Sequence, residues 1–189
     1  MYKTFFLHAS SLFAAIIFTS PLMADEAYES NLKVDNTFKK VTMHAIDNNG
    51  VGKVIGILTL RNAPEALEIV PELSGLKPGA HGFHLHVNPN CGASLANVKK
   101  QAGSAAGGHY DPANTGVHGG PYGAGHDGDL SILMVDAKGK ADQPVIAPRL
   151  RIADVIGHSL IIHADSDNYS DLPKPLGGAG ARVACGVVE

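Results

Sequence analysis

Between His81 and Asp129 the chain carries six of its ten histidines in a stretch crowded with Gly, Pro, Asn and Asp. Such composition favours turns over long helices or regular strands, so backbone hydrogen bonding alone cannot order it. Side chains must do so, and the residue types at hand are metal ligands. His84 and His86 alternate with Phe83, Leu85 and Val87. On a strand, both imidazoles leave one face while the apolar residues enter a core. His109, His118, His126 and Asp129 follow over twenty-one residues of loop-like chain. Three imidazoles and one carboxylate suit a tetrahedral zinc. His163 closes the apolar run Leu160-Ile161-Ile162. Grouped with His84 and His86 it gives three nitrogens, one fewer than the roughly four that copper(II) prefers. The count closes if one imidazole uses both ring nitrogens, and His109 lies between the two groups in sequence.

A larger set of residues then matches a known pattern: Gly82-Phe-His-Leu-His86, Gly108-His-Tyr-Asp-Pro112, His126-Asp-Gly-Asp-Leu130, His163-Ala164 and Gly178-Ala-Gly-Ala-Arg-Val-Ala-Cys-Gly-Val187. From about residue 38 to the C-terminus the chain resembles the copper-zinc superoxide dismutases. Gly120-Pro-Tyr-Gly123, Asp167-Asn-Tyr-Ser-Asp171 and Lys174-Pro-Leu-Gly-Gly178 resemble the bacterial periplasmic branch. The resemblance implies an antioxidant enzyme that converts superoxide to dioxygen and hydrogen peroxide. Copper is expected on His84, His86, His109 and His163, and zinc on His109, His118, His126 and Asp129. It also implies that Asp167 orients a copper and a zinc ligand together, with Asp165 as a local rival, and that Arg182 holds the anion beside copper. Lys99 and Lys100 either assist the steering or are ordinary solvated lysines. His44 and His158 read as strand histidines, His81 as a structural neighbour of the site, and Tyr110 as packing.

The first 24 residues carry one charge, Lys3, then an apolar run from Phe5 to Phe18 and a small residue at Ala24. This is the outline of a secretory signal peptide; an uncleaved anchor is the alternative, and no cysteine near the cut suggests lipidation. Residues 25 to 37 form a polar segment, and 38 to 189 one dismutase domain. Cleavage after Ala24 removes Lys3 and takes the formal charge from -3 to -4, which gives no sign of a nucleic acid partner or an anionic membrane surface. Export to the periplasm suits a disulfide between the only cysteines, Cys91 and Cys185. A homodimer is possible.

Elsewhere the chain reads as nearly all β. Runs at 41–46, 53–61, 66–73, 81–87, 130–136, 142–147, 159–164 and 181–188 are separated by turn signals at Asn48-Asn-Gly50, Lys77-Pro-Gly79 and Ala137-Lys-Gly139. Eight strands imply an antiparallel sandwich or barrel; the eight-stranded, immunoglobulin-like Greek key is what the resemblance adds. Pro71 and Pro144 are expected at edges or bulges. Residues 92–128 and 164–180 remain as two long functional loops.

Three other classes share parts of this pattern. A cupin-type dioxygenase needs a glutamate soon after its His-x-His strand, and Val87-Asn-Pro-Asn-Cys91 contains none. A non-catalytic copper carrier of dismutase type commonly lacks part of the copper set or the arginine, and a copper-only dismutase lacks the zinc ligands.

Overall fold

A computed structural model describes residues 37–96 and 99–189. The expected signal peptide and almost all of the polar segment lie outside the described residues. Strand β1 (Phe38–Asp47) turns at Asn48-Asn49 into β2 (Gly50–Ala63), which pairs with β3 (Ala66–Ser74). Then come β4 (Gly79–His81), β5 (Phe83–His86), β6 (Ser94–Ala96), β7 (Lys99–Gln101), β8 (Leu133–Val135), β9 (Lys140–Ala141), β10 (Val145–Ala147), β11 (Ser159–His163) and β12 (Arg182–Val187). One antiparallel sheet has the order β10-β3-β2-β1-β12-β11-β5, with β9 also pairing β3, so it contains eight strands. β1 lies beside β12 and β5 beside β11, neighbours remote in sequence that give the Greek-key connectivity. A single apolar cluster joins Val145 and Ala147 near one end of the sheet to Phe83 and Leu85 at the other, so the sheet curls around one core.

The expected strand at 81–87 is broken at Gly82. Its N–H donates to Asp165 O (2.8 Å) and its carbonyl accepts from His163 N (2.8 Å). These bonds go to the second long loop and the end of β11, not to a continuous ladder. The run at 130–136 becomes strand only at Leu133, because Leu130 N bonds Phe83 O and Ile132 N bonds the Tyr169 hydroxyl at 2.9 Å. Pro144 stands just before β10, the edge strand of the sheet, and the run at 142–147 is strand only from Val145. Pro71 departs from expectation. It pairs with Leu58 inside the sheet, in the gap between the β10 and β9 ladders, where its missing N–H leaves no ladder bond unmade. The first loop contains the β6–β7 hairpin, and one helical turn, α1 (Ile152–Val155), follows β10.

β11 explains how the site is held. All five of its residues are buried, because Leu160 and Ile162 face the main core while Ile161 packs with Ile46, Cys91, Ala106 and Cys185 on the other side. That second cluster contains the Cys91–Cys185 disulfide, which joins residues 94 apart. On a loop-closure model such a bridge contributes about 4 to 5 kcal/mol.

Candidate metal centre

Directly paired residues of antiparallel strands share a face. Ile161 stands opposite His84 and Ser159 opposite His86, so His84 and His86 project from the face opposite the main core. His163, two residues past Ile161, follows them there, and a register slip between Ile162 and His163 sets it against Arg182. Ladder geometry therefore gathers three histidines from two adjacent strands.

The first long loop closes over them along the outer edge of β5. Leu85 N bonds Gly128 O (2.9 Å), Tyr110 N bonds Leu85 O (2.8 Å) and Val87 N bonds Gly108 O (3.1 Å). Gly128 has to be glycine, since a Cβ there would collide with the Leu85 carbonyl. This zipper brings His109 beside His84, with ring centroids 4.0 Å apart. His84, His86, His109 and His163 then converge, and so do His109, His118, His126 and Asp129. Within each set the ligand atoms all lie within 4.8 Å of one another, and all the residues are buried.

Nitrogen by nitrogen, the remaining contacts fix which atoms face inward. His86 Nδ1 donates to Gly107 O (2.9 Å) and His163 Nδ1 to Gly180 O (3.1 Å). His84 Nε2 donates to Asp167 Oδ2 (2.6 Å). Among the described residues, five buried side-chain nitrogens lack a hydrogen-bond partner. Four are His84 Nδ1, His86 Nε2, His163 Nε2 and His118 Nδ1; the fifth is Arg149 Nε. A buried imidazole nitrogen without a partner is costly unless a metal uses its lone pair; His84 Nδ1, His86 Nε2 and His163 Nε2 belong to the first convergent set and have no partner, whereas His118 Nδ1, in the second, has Asp129 Oδ1 at 3.0 Å as an ion-pair contact. Asp129 Oδ1 lies 2.8, 3.0 and 3.2 Å from the Nδ1 atoms of His109, His118 and His126. A tetrahedron with nitrogen and oxygen about 2.0 Å from zinc has edges of roughly 3.3 Å. The residues present thus fit a copper-type set of four imidazoles and a zinc-type set of three imidazoles and one carboxylate.

Electrostatics separates the two. Burial pushes His84 and His86 well below the ordinary imidazole range, reinforced by His109, and takes His163 down to about 4. Neutral rings with free lone pairs result. Burial also lowers His109, against the pull of Asp129. On His118 burial is outweighed by Asp129 and Asp167, and its pKa rises to about 9. Both carboxylates are held far below their usual range by these histidine contacts, which overcome burial. The carboxylates demand a cation at the second set.

Asp167 bridges the sets, accepting from His84 Nε2 and from His118 Nε2 at 2.9 Å. Those are hydrogen-bond separations, so the His84, His118 and Asp167 group is a strut. Gly177 packs against that carboxylate at φ 70°, where a side chain would collide with it. Asp165, the rival by sequence, packs beside Gly180 instead. Arg182 donates from Nη1 to Gly103 O and from Nη2 to Gly107 O, both at 2.6 Å. It borders a cleft of about 370 Å3 together with His109, His163, Asp165 and Lys174, and a neighbouring cleft with Lys99 and Lys100. His81 lies beneath, its ring nitrogens 2.6 and 2.7 Å from the carbonyls of His163 and Lys77. His44 and His158 stay outside, their Nδ1 atoms on Gly52 O and Val87 O, and Tyr110 packs against the core and the His158 ring.

Sequence reasoning missed Asp171, which accepts from His118 N (2.9 Å) and Leu176 N (3.1 Å) and so ties one loop to the other. It missed Arg149 as well, which donates to the carbonyls of Gly120, Gly125 and His126. Neither contact has a sequence signal, because each partner lies on a separate loop.

Comparison with known proteins identifies the family. Residues 54–188 match the family model described as copper/zinc superoxide dismutase. The chain is 49% identical over 152 residues to the superoxide dismutase [Cu-Zn] of Escherichia coli (strain K12), covering 80% of this chain and 88% of that one. Its fold is similar to a Cu/Zn superoxide dismutase from Brucella abortus at a TM-score of 0.79 and 45% identity, covering 81% of this chain and all of that one. A monomeric copper, zinc superoxide dismutase from Salmonella enterica gives 0.74 and 46%, with the same coverage. With paired four-ligand sets sharing one imidazole, and relatives this similar over most of its length, the chain belongs to the copper/zinc superoxide dismutase family.

Proposed function

We propose that the chain dismutates superoxide to dioxygen and hydrogen peroxide, with His84, His86, His109 and His163 holding copper and His109, His118, His126 and Asp129 holding zinc. His109 carries this reading, since it alone belongs to both convergent sets. Copper supplies the one-electron redox chemistry, and zinc, which has none, supplies fixed positive charge. The chain's own residues do the rest. Arg182, fixed by two backbone carbonyls, presents its charge to the cleft that His109 and His163 border. There it attracts and orients the anion. Lys99 and Lys100 add positive potential along the adjoining cleft. With His109 Nδ1 beside Asp129, Nε2 is the atom that would hold copper or, when not so engaged, carry a proton for the departing peroxide. The second proton comes from solvent. Asp167 keeps the His84 and His118 rings from rotating.

All seven ligands come from one chain, so a monomer suffices. Residues 1–24, read as an export signal, direct the enzyme to the periplasm, where Cys91 and Cys185 can be oxidised. Among the described residues no helix is long and apolar enough to cross a membrane.

Metal analysis of the purified protein together with a superoxide assay tests the proposal. About one copper and one zinc per chain, with a tetragonal nitrogen signal in the copper EPR spectrum and peroxide made from superoxide, is the expected result. Full metal loading without dismutation would leave a metal carrier instead.

A further inference from the structure

The zinc-type ligands His118, His126 and Asp129 are connected by residues 119–128, half of which are glycine. Backbone bonds pin the end of this span, at Gly128 (to Leu85 and Tyr110) and at Asp129 N to His126 O (3.2 Å), but between Gly119 and Asp127 they are few: His126 N to Val117 O (2.9 Å) and Gly123 N to Gly120 O (3.3 Å). A glycine-rich segment of this kind loses much conformational freedom on ordering, so something else must hold His126 in line with its partners.

That something is Arg149. It stands between Ala147 and Leu150, both buried in the main core, in a turn closed by Leu150 N to Ala147 O (3.3 Å), so its Cα is fixed by the sheet. From there the guanidinium reaches the loop. Nη1 donates to Gly125 O (2.7 Å), and Nη2 donates to Gly120 O (3.1 Å) and to the carbonyl of His126 itself. Asp127 balances the charge at 3.2 Å. Three carbonyls between one ligand and the next therefore converge on a single planar cation anchored outside the loop. A lysine cannot match this fork.

Resting on the zinc assignment above, we propose that Arg149 is a positioning residue for the His109, His118, His126 and Asp129 set: it draws the glycine-rich span into the conformation that aims His126, and so sets the affinity of this site for zinc. It touches neither metal nor substrate.

The test uses purified, metal-free protein, zinc affinity measured by competition with a chromophoric chelator, and cobalt(II) as a spectroscopic probe of tetrahedral coordination. Outer contacts of metal ligands commonly govern 10- to 100-fold in affinity, and a loss of roughly that size is expected for Arg149→Met, with weakened or shifted cobalt bands. Arg149→Lys should recover part of it. Copper affinity should stay within about twofold of the parent, because His84, His86 and His163 are held by strands. Asp127→Asn should leave zinc affinity nearly unchanged, since the carbonyl contacts remain. Should Arg149→Met fail to fold, Arg149→Lys against Asp127→Asn carries the same comparison.

Zinc affinity equal to the parent's in the Arg149 variants overturns the proposal. So does an equal loss for both metals, which would mark general destabilisation, or a loss in Asp127→Asn as large as in Arg149→Met. If the parent itself gives no tetrahedral cobalt spectrum, the zinc assignment fails. If the parent gives one and the variants match it, only the role of Arg149 fails.

Discussion

Two halves of the candidate metal centre are built by different means. His84, His86 and His163 sit on adjacent strands whose ladder fixes their spacing before any cation arrives. His118, His126 and Asp129 lie on a glycine-rich loop and are fixed by side chains: Asp167, Asp171 and Arg149. The charges differ accordingly. Burial keeps the strand-held rings neutral, whereas two carboxylates draw a proton onto His118. A sheet can hold uncharged donors ready for a metal. A loop with buried acids needs a cation to be complete.

The largest effect that can break this contrast comes from the sheet. His86→Ala should cut dismutation on the order of a thousandfold or more, with zinc content intact by elemental analysis. Loss of zinc as well would mean that the halves are one unit. Next comes the acid and alkaline behaviour of the metal-free protein. The pKa of His163 is lowered to about 4 from 6.5, so the unfolded chain binds more protons between those values. Stability should fall as pH drops from about 6.5 to about 4, by up to about 3 kcal/mol. His118 runs the other way. Raised to about 9, it stabilises fully below about 6.5 and loses that contribution as pH rises through 9. Urea midpoints from pH 4 to 9 should show a flatter acid limb in His163→Gln and a flatter alkaline limb in His118→Gln.

Smaller effects sharpen the comparison. Asp167→Asn removes the charge that both rings face and leaves a single oxygen to accept, while the new amide nitrogen cannot accept from His84 or His118. Zinc affinity should fall roughly 10- to 100-fold, and copper affinity less, because β5 still holds His84. Equal losses in isothermal titration would show the strut to be as important to the strands as to the loop. Arg182→Ala should slow the reaction about tenfold at low ionic strength and flatten its salt dependence, with both metals retained. Full activity at low salt would remove Arg182 from its role.

The candidate ligands are legible because chemistry limits which residues can hold metals, and because Phe83, Leu85 and their histidine neighbours alternate as a half-buried strand must. The positions of Asp167 and Arg182 came from family likeness alone. What escaped was set by long-range contacts. Nothing in Ala80 to Val87 announces that Gly82 bonds to Asp165 and His163, so the strand looked continuous. Ser94–Ala96 and Lys99–Gln101 lack alternation and appeared as loop. Arg149 lies about two dozen residues from the carbonyls it holds, and its arginine could equally have been solvated.

β5 is the last strand of its sheet, and among the described residues the loop bearing His109 and Gly128 is what bonds to its outer side. If that loop loosens when zinc is lost, a row of amide and carbonyl groups is laid bare. Bare edges recruit other chains. On that condition, zinc binding would also keep neighbouring molecules from adding themselves to the sheet.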